Sequence, residues 1–126
     1  MAKTNRDTIS VNDCQILAHY KFEADQYILT LESQEIAKAT RPGQFVHLSV
    51  SAQLAMRRPI SVMSVDRVNG TFDLLYKIVG EGTRQLAERK IGDIVSVIGP
   101  IGNGFEVTEN KIPLLIVGGV GIPPII

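Results

Sequence analysis

The segment that decides the fold is residues 56–64, which read Met-Arg-Arg-Pro-Ile-Ser-Val-Met-Ser. Two adjacent arginines, a proline and a serine stand at the head of an apolar run that is typical of a β-strand. An extended segment of this kind offers a fixed positive charge, a hydroxyl, and a backbone that lacks one N–H group. It therefore predicts either a site for a ligand with an anionic end and a flat, hydrogen-bonding end, or an edge strand with solvated arginines.

The composition limits the classes of function that need to be considered. The chain has 126 residues, enough for one domain with a real core. Its 13 basic and 13 acidic residues cancel, so no overall field would attract nucleic acid or a membrane. The single cysteine, Cys14, excludes an internal disulfide and fits a reducing compartment, which predicts a cytoplasmic protein. We expect Cys14 to be a small buried residue, and His19 and His47, which stand in apolar strands, to be structural.

Short β-strands recur outward from the central segment. Asn69-Gly70 is a strong hairpin signal that pairs the central strand with the strand after it. Turn signals at 23–26 and 41–44 separate the earlier strands. The spacing predicts an all-β barrel or sandwich. The predicted strands are 14–22, 27–31, 45–50, 58–64, 71–78 and 94–98.

The pattern changes toward the C-terminus. Residues 84–89 predict one short helix, with Thr83 as its N-cap, and residues 99–105 predict a long glycine-rich turn. Residues 113–117 form a continuous apolar run, typical of a buried parallel strand, and the glycine-rich segment 118–121 follows directly. A strand of this kind before such a turn begins many nucleotide-binding domains. We therefore expect a complete β domain followed by the first strand of a shortened second domain.

Five motifs in this order resemble the ferredoxin–NADP reductase superfamily, and more narrowly the electron-transfer subunits of NAD-dependent dihydroorotate dehydrogenases. Each motif alone is weak, but their order and spacing over residues 12–126 are specific. The motifs are residues 57–62, 75–78, 82–83, 99–105 and 118–124.

The resemblance implies an all-β fold: a six-stranded antiparallel Greek-key FAD-binding barrel with one short helix. The first strand of a truncated α/β nucleotide-binding domain would follow. Residues 1–11 would form a flexible N-terminal segment, 12–108 the FAD-binding barrel, and 109–126 the start of the NAD-binding domain.

The resemblance also implies roles in the central segment. Arg58 matches an arginine that pairs with the FAD diphosphate, and Pro59 follows it in the motif. Ile60 stands where many relatives have an aromatic residue against the isoalloxazine ring. Ser61 matches a residue that hydrogen-bonds the flavin near N5. Because strand alternation puts Ser61 on the opposite face from Arg58 and Ile60, either Ser61 acts through its backbone N–H or Pro59 accompanies a bulge.

Two further segments match cofactor-binding positions. Leu75, Tyr76 and Lys77 correspond to a second flavin-contacting segment, with polar tips suited to the ribityl chain and ring edges; alternatively, Tyr76 simply packs in the barrel. Gly82 and Thr83 open the predicted helix, where free N–H groups favour phosphate. No catalytic residue and no metal ligand is predicted.

The implied function is an electron relay in pyrimidine biosynthesis. Electrons would pass from an FMN-containing dihydroorotate dehydrogenase catalytic subunit, through a 2Fe-2S cluster and FAD, to NAD⁺, within a heterotetramer. FAD belongs to this chain, whereas NAD and the cluster are expected only in the complete protein, and the shortened chain would not be active alone. One alternative is an FAD and NAD(P)H reductase subunit for a sulfite- or ferredoxin-linked partner. Another is a cofactor-free β-barrel interaction module.

Overall fold

The computed structural model describes residues 9–49, 56–104 and 112 of the chain. Six β-strands and two short α-helices occupy this part, and a 3-10 turn at Glu23–Asp25 joins the first two strands where a turn was predicted. The elements are β1 Ser10–Phe22, β2 Gln26–Glu32, α1 Gln34–Ala39, β3 Phe45–Leu48, β4 Arg58–Asp66, β5 Thr71–Lys77, α2 Glu81–Ala87 and β6 Ile94–Ile101.

The six strands form one closed antiparallel barrel. Their spatial order is β1-β2-β5-β4-β3-β6, with β6 returning to β1. Pairing of β2 with β5 and of β3 with β6 joins strands that are distant in sequence, as in a Greek key. The predicted fold class is therefore confirmed.

The strand β1 takes part in both pairings that close the barrel. Its first half, from Ser10 to Gln15, pairs with β6, and its second half, from Gln15 to Phe22, pairs with β2. A register shift between Ile16 and Ala18 bends the strand where it passes from one neighbour to the other. The strand β1 begins at Ser10, inside the predicted flexible N-terminal segment 1–11.

Alternate residues of every strand fill the barrel interior with apolar side chains. The core includes Cys14, which is fully buried as predicted, and burial raises the pKa of its thiol to about 12. Ile36 of α1 and Leu86 of α2 join the same core, so both helices pack against it. Burying a side chain of this size contributes about 1.5–3 kcal/mol.

Three local predictions need correction or extension. The helix α2 begins at Glu81 with Gly80 as its N-cap, so Thr83 lies inside the first turn and is not the cap. The strand β6 continues to Ile101, so the predicted turn at 99–105 begins too early. The helix α1 was not predicted, although Ser33 gives a usable signal: its Oγ accepts a hydrogen bond from the Ile36 N–H, 3.2 Å away.

The hairpin prediction is confirmed. Residues 67–70 form the turn between β4 and β5, and Gly70 has a φ of +70°, which favours glycine. Asp66 accepts hydrogen bonds from the backbone N–H groups of Asn69 and Val68. The predicted strand at 113–117 and the glycine-rich segment at 118–121 lie outside the described residues. Within the described part of the chain, no helix is long and apolar enough to cross a membrane.

The side chain of Gln44 connects the entry to β3 with the end of β6. It is 2% exposed; its Oε1 accepts from the Arg41 N–H at 2.7 Å and its Nε2 donates to the Gly102 carbonyl at 2.8 Å. Its own carbonyl accepts from the Val62 N–H at 3.2 Å. This one residue therefore links the strands that flank β3.

Replacing Gln44 with leucine should lower the free energy of unfolding by about 1–3 kcal/mol, because its side chain no longer hydrogen-bonds the Arg41 N–H and the Gly102 carbonyl. Urea denaturation of the purified protein measures this loss. Gln15→Leu, at an exposed position of β1, is the matched control and should change stability by less than about 0.5 kcal/mol. Equal unfolding midpoints for the two variants would contradict the role of Gln44.

Candidate functional site

The first residues of β4 alternate strictly between the two faces of the sheet. Ile60 and Val62 belong to the barrel core, and Arg58 lies on their face, whereas Pro59 and Ser61 face outward. Pairing with β3 runs without a shift from Leu48 opposite Arg58 to Phe45 opposite Ser61. There is consequently no bulge at Pro59, one of the two alternatives that the sequence left open; the irregularity in β4 lies between Val62 and Ser64.

The strands β4 and β5 are not paired along their whole length. Their register begins at Val62 opposite Leu74, so residues 58–61 and residues 75–77 lie beyond the paired part. The Val62 N–H donates toward β3, and successive N–H groups of a strand point to opposite edges. The Ser61 N–H therefore points toward the β5 side, where the two strands are unpaired. The Ser61 hydroxyl has no hydrogen-bond partner in the part of the chain that the structure describes.

The segment 75–77 presents different groups on its two faces. Leu75 is half-buried and Lys77 is exposed, and both lie on the outer face. Tyr76 is only 3% exposed and points into the core, where its Oη lies 2.7 Å from His19 Nε2. Its polar tip thus contacts the barrel interior, and only its main chain is available at the unpaired edge. The same orientation applies to Ile60, whose side chain packs in the core and not on the outer face.

The guanidinium of Arg58 lies directly against Gly82, at the start of α2. A Cβ atom added to Gly82 would collide with Arg58 Nε. Arg58 is half-buried, and among the described residues no carboxylate or other hydrogen-bonding group pairs with it. The site thus holds a permanent, partly desolvated positive charge, packed against a position where a larger residue would displace it.

The neighbouring Arg57 has a different environment. Its Nη1 donates to the Ser96 carbonyl at 3.0 Å, and its Nη2 donates to Ser96 Oγ at 2.9 Å. Arg57 therefore connects the start of β4 to β6 and is already hydrogen-bonded. Of the two adjacent arginines, Arg58 is the one available to an anionic ligand.

Thr83 stabilises the loop that leads into α2. Its Oγ1 accepts from the Val79 N–H at 2.9 Å and from the Gly80 N–H at 3.3 Å. The side chain is 9% exposed, so the hydroxyl is used within the protein. Thr83 thus positions the backbone around Gly82, and its side chain is not free for a ligand.

The chemistry of this arrangement is binding and electrostatics. It offers the Arg58 charge, the Ser61 N–H, and the outer surface formed by Pro59, Leu75 and Lys77. Within residues 9–49 and 56–104, no three His, Cys, Asp or Glu side chains come together as metal ligands. Such a site suits a cofactor that carries its own reactivity and has an anionic portion.

The fold and the sequence together define the class of protein. It superposes on the structure titled ferredoxin reductase in carbazole 1,9a-dioxygenase with a TM-score of 0.79 and 24% identity, over 92% of this chain and 37% of that one. Residues 13–105 match the family described as oxidoreductase FAD-binding domain. The chain belongs to this family of FAD-binding oxidoreductase domains.

Two relatives are more similar in sequence. The electron transfer subunit of dihydroorotate dehydrogenase B (NAD(+)) from Bacillus cereus strain AH187 is 43% identical over 104 residues, which are 79% of this chain and 40% of the relative. The structure described as an NADH-dependent reduced ferredoxin-NADP oxidoreductase is 32% identical, with a TM-score of 0.70, over 74% of this chain and 34% of that one. The resemblance predicted from the motifs is confirmed. The chain spans about 40% of the length of the curated relatives it matches.

Sequence reasoning did not connect His19 with the site. Its ring lies 5.3 Å from the Tyr27 ring and 6.0 Å from the Tyr76 ring, measured between centroids. Its Nδ1 lies 3.0 Å from the carbonyl oxygen of Arg89, which follows α2. The pairing of β2 with β5 brings Tyr27 opposite Tyr76, so the cluster depends on non-local contacts and left no local sequence signal.

Tyr76→Phe should reduce stability at neutral pH by about 0.5–1.5 kcal/mol, the usual contribution of one hydrogen bond. Burial, and to a smaller extent the neighbouring Tyr27, raises the pKa of the Tyr76 phenol. The folded protein therefore keeps the Tyr76 proton at a pH where the unfolded chain, with a tyrosine pKa of about 10, has lost it. The contribution of this phenol to stability is fully present below about pH 10 and is lost as the pH rises toward the raised pKa of the folded state.

Denaturation curves recorded from pH 7 to 11 measure the effect, and the difference between wild type and Tyr76→Phe should shrink above about pH 10. Tyr20→Phe, at an exposed position, serves as the control and should follow the wild-type curve. A constant difference between wild type and Tyr76→Phe across this range would contradict the assignment.

Proposed function

We propose that this chain is the FAD-binding part of an electron-transfer subunit that relays electrons between a dihydroorotate dehydrogenase catalytic subunit and NAD⁺. The observation that carries the proposal is the partly buried Arg58 against Gly82, within a chain that is 43% identical to such a subunit. The proposal includes an FMN-containing partner in a heterotetramer, with NAD and a 2Fe-2S cluster bound by the complete protein. In this proposal the protein is cytoplasmic and its reaction belongs to pyrimidine biosynthesis.

The residues at the site fit the diphosphate of FAD. A diphosphate carries two negative charges, and a guanidinium donates to such oxygens in a fixed fork. Arg58 has no acidic partner among the described residues that would compete, and the missing side chain at Gly82 lets the guanidinium lie against the start of α2. Backbone N–H groups at the start of α2 lie next to the same charge. Arg58, Gly82 and the backbone at Thr83 would therefore hold the diphosphate.

The unpaired ends of β4 and β5 fit the flavin ring. A flat heterocycle needs hydrogen-bond donors at its edge and apolar surface on its face. The Ser61 N–H points toward the unpaired edge, and Pro59 and Leu75 supply apolar surface outside the barrel. Lys77 stands exposed at the end of β5. Ile60 and Tyr76 face the core, so in this proposal they contribute main-chain atoms and the packing that fixes the two strands.

When bound, FAD would supply the redox chemistry, accepting and releasing electrons in one- or two-electron steps. The chain itself binds the diphosphate by charge, orients the ring through backbone groups, and supports both from the barrel core. Among the described residues of the site, no side chain is assigned a role as acid, base or nucleophile. An absorption spectrum of the purified protein, with the released cofactor identified, tests the proposal, and a colourless protein that takes up no added FAD would overturn it.

A reductase subunit with a ferredoxin-linked partner remains a second candidate. The 32% identity to the NADH-dependent reduced ferredoxin-NADP oxidoreductase favours it over a partner of unrelated type. Co-purification of the tagged protein separates the candidates, because an FMN-containing dehydrogenase subunit is expected in one case and an iron–sulfur protein in the other. A cofactor-free interaction module lacks support, since the chain belongs to an FAD-binding family.

Arg58→Ala should weaken FAD binding by about 1.5–3 kcal/mol, the range for hydrogen bonds to charged groups. Titration of FAD into the apo protein by calorimetry measures the change. Arg57→Ala should lose much less affinity, because Arg57 donates to Ser96 and not to the site. Equal losses of affinity for the two variants would show that the diphosphate site is wrongly placed.

Gly82→Ala should weaken FAD binding more than it changes stability. A Cβ there collides with Arg58 at Nε, Cδ and Cζ and displaces the guanidinium, whereas the better helix propensity of alanine, worth up to about 1 kcal/mol, offsets part of the cost of this collision. Gly80→Ala is the matched control, since a Cβ at Gly80 meets nothing within 4 Å and its φ is −171°. Thermal unfolding and FAD titration of both variants test this, and unchanged affinity in Gly82→Ala would count against the site.

Ser61→Ala should leave FAD content and the flavin midpoint potential at wild-type values. The absence of a bulge at Pro59 favours the backbone N–H of Ser61 as the donor, and alanine keeps that group. Redox titration of the purified protein measures the potential. A shifted potential with normal FAD content would assign the interaction to the hydroxyl instead.

A further inference from the structure

We propose that His19 is a positioning residue for the FAD site, and that one imidazole ring holds both ends of segment 76–89. This segment carries Lys77, Gly82 and Thr83, so its placement decides the geometry of the site. The inference rests on the proposed binding of FAD and extends it to a residue outside the site.

The two ring nitrogens of His19 have different partners. Nδ1 lies 3.0 Å from the Arg89 carbonyl oxygen, which can only accept, so Nδ1 carries the proton. In the neutral ring Nε2 is then the acceptor, and the Tyr76 hydroxyl, 2.7 Å away, donates to it. A single tautomer thus satisfies both contacts, one at each end of the segment.

The end of β5 needs this support because one of its edges is unpaired. Beyond Leu74 it has no register with β4, and its pairing with β2 continues alone to Lys77 opposite Gln26. A strand end with one neighbour is held less firmly than one with two. The inward Tyr76 ring, stacked on Tyr27 at 5.3 Å with an interplanar angle of 11°, and its bond to His19 supply the missing restraint.

The helix α2 needs support for a different reason. At 7 residues it is far too short to be stable by itself, so tertiary contacts must hold it. Leu86 anchors its apolar side in the core, and the contact from His19 to Arg89 fixes the chain just after its C-terminal end. Because Gly82 at the other end lies against Arg58, a shift of the helix would change the space next to the guanidinium.

Three substitutions at His19 separate the two contacts. The side-chain oxygen of glutamine can replace Nε2 and keep the bond to Tyr76, whereas the side-chain nitrogen of asparagine can replace Nδ1 and keep the bond to Arg89. Phenylalanine retains ring volume and loses both bonds. Calorimetric titration of FAD into the apo proteins should show roughly a tenfold loss of affinity for His19→Phe, and about threefold for His19→Gln and His19→Asn.

A double-mutant cycle gives a readout that general destabilisation would not produce. Tyr76→Phe should weaken FAD binding further in His19→Gln but not in His19→Asn, where the bond to Tyr76 is already lost. Cys14→Ala, a core truncation at the other end of β1, is the stability control and should retain wild-type affinity at temperatures below its unfolding transition.

The outcomes distinguish this inference from the proposed function. If wild type binds no FAD, the proposed function fails. If wild type binds FAD and the folded His19→Gln and His19→Asn variants both bind it as tightly as wild type, His19 has no positioning role. Additive effects of Tyr76→Phe in both backgrounds would likewise overturn the proposal, because His19 would then act independently of Tyr76. His19→Gln and His19→Asn keep the test valid if His19→Phe does not fold.

Discussion

Closure of the sheet between β1 and β6 is the constraint on which the rest of the structure depends. The strand β1 reaches both of its neighbours because a bulge after Ile16 bends it. Closure leaves no continuous free edge and turns alternate residues of all six strands toward one apolar interior. In such a barrel, an interruption in pairing exposes backbone groups that the rest of the sheet satisfies internally. In this barrel the interruption lies between β4 and β5.

The candidate site is built largely from that interruption. It exposes the Ser61 N–H and the end of β5, while the strand alternation that fills the core also carries Arg58 to the interior-facing end of β4. A charge in this position is partly desolvated, which strengthens its interaction with an anion compared with a fully exposed arginine. The missing side chain at Gly82 allows the guanidinium of Arg58 to lie against the start of α2. The site therefore depends on barrel geometry more than on a catalytic set of side chains.

The cluster of His19, Tyr27 and Tyr76 shows how the core supports this surface. It connects three strands and Arg89, shortly after the end of α2, through hydrogen bonds and ring contacts. A domain that supplies orientation and electrostatics to a cofactor works best when those groups are held in place before binding. Buried polar contacts next to an unpaired strand end provide such rigidity at a place where the sheet does not.

The sequence by itself determined the strands, the Asn69-Gly70 hairpin and the burial of Cys14, because turn chemistry and alternation are local properties. Its motifs also identified the family. Only the tertiary structure decided that β2 pairs with β5 and β3 with β6, and that Ile60 and Tyr76 point inward. A two-residue period defines two faces but does not say which one closes on the core. The link from His19 to Arg89 also had no local signal, because these residues lie 70 positions apart in the chain and meet only in the folded protein.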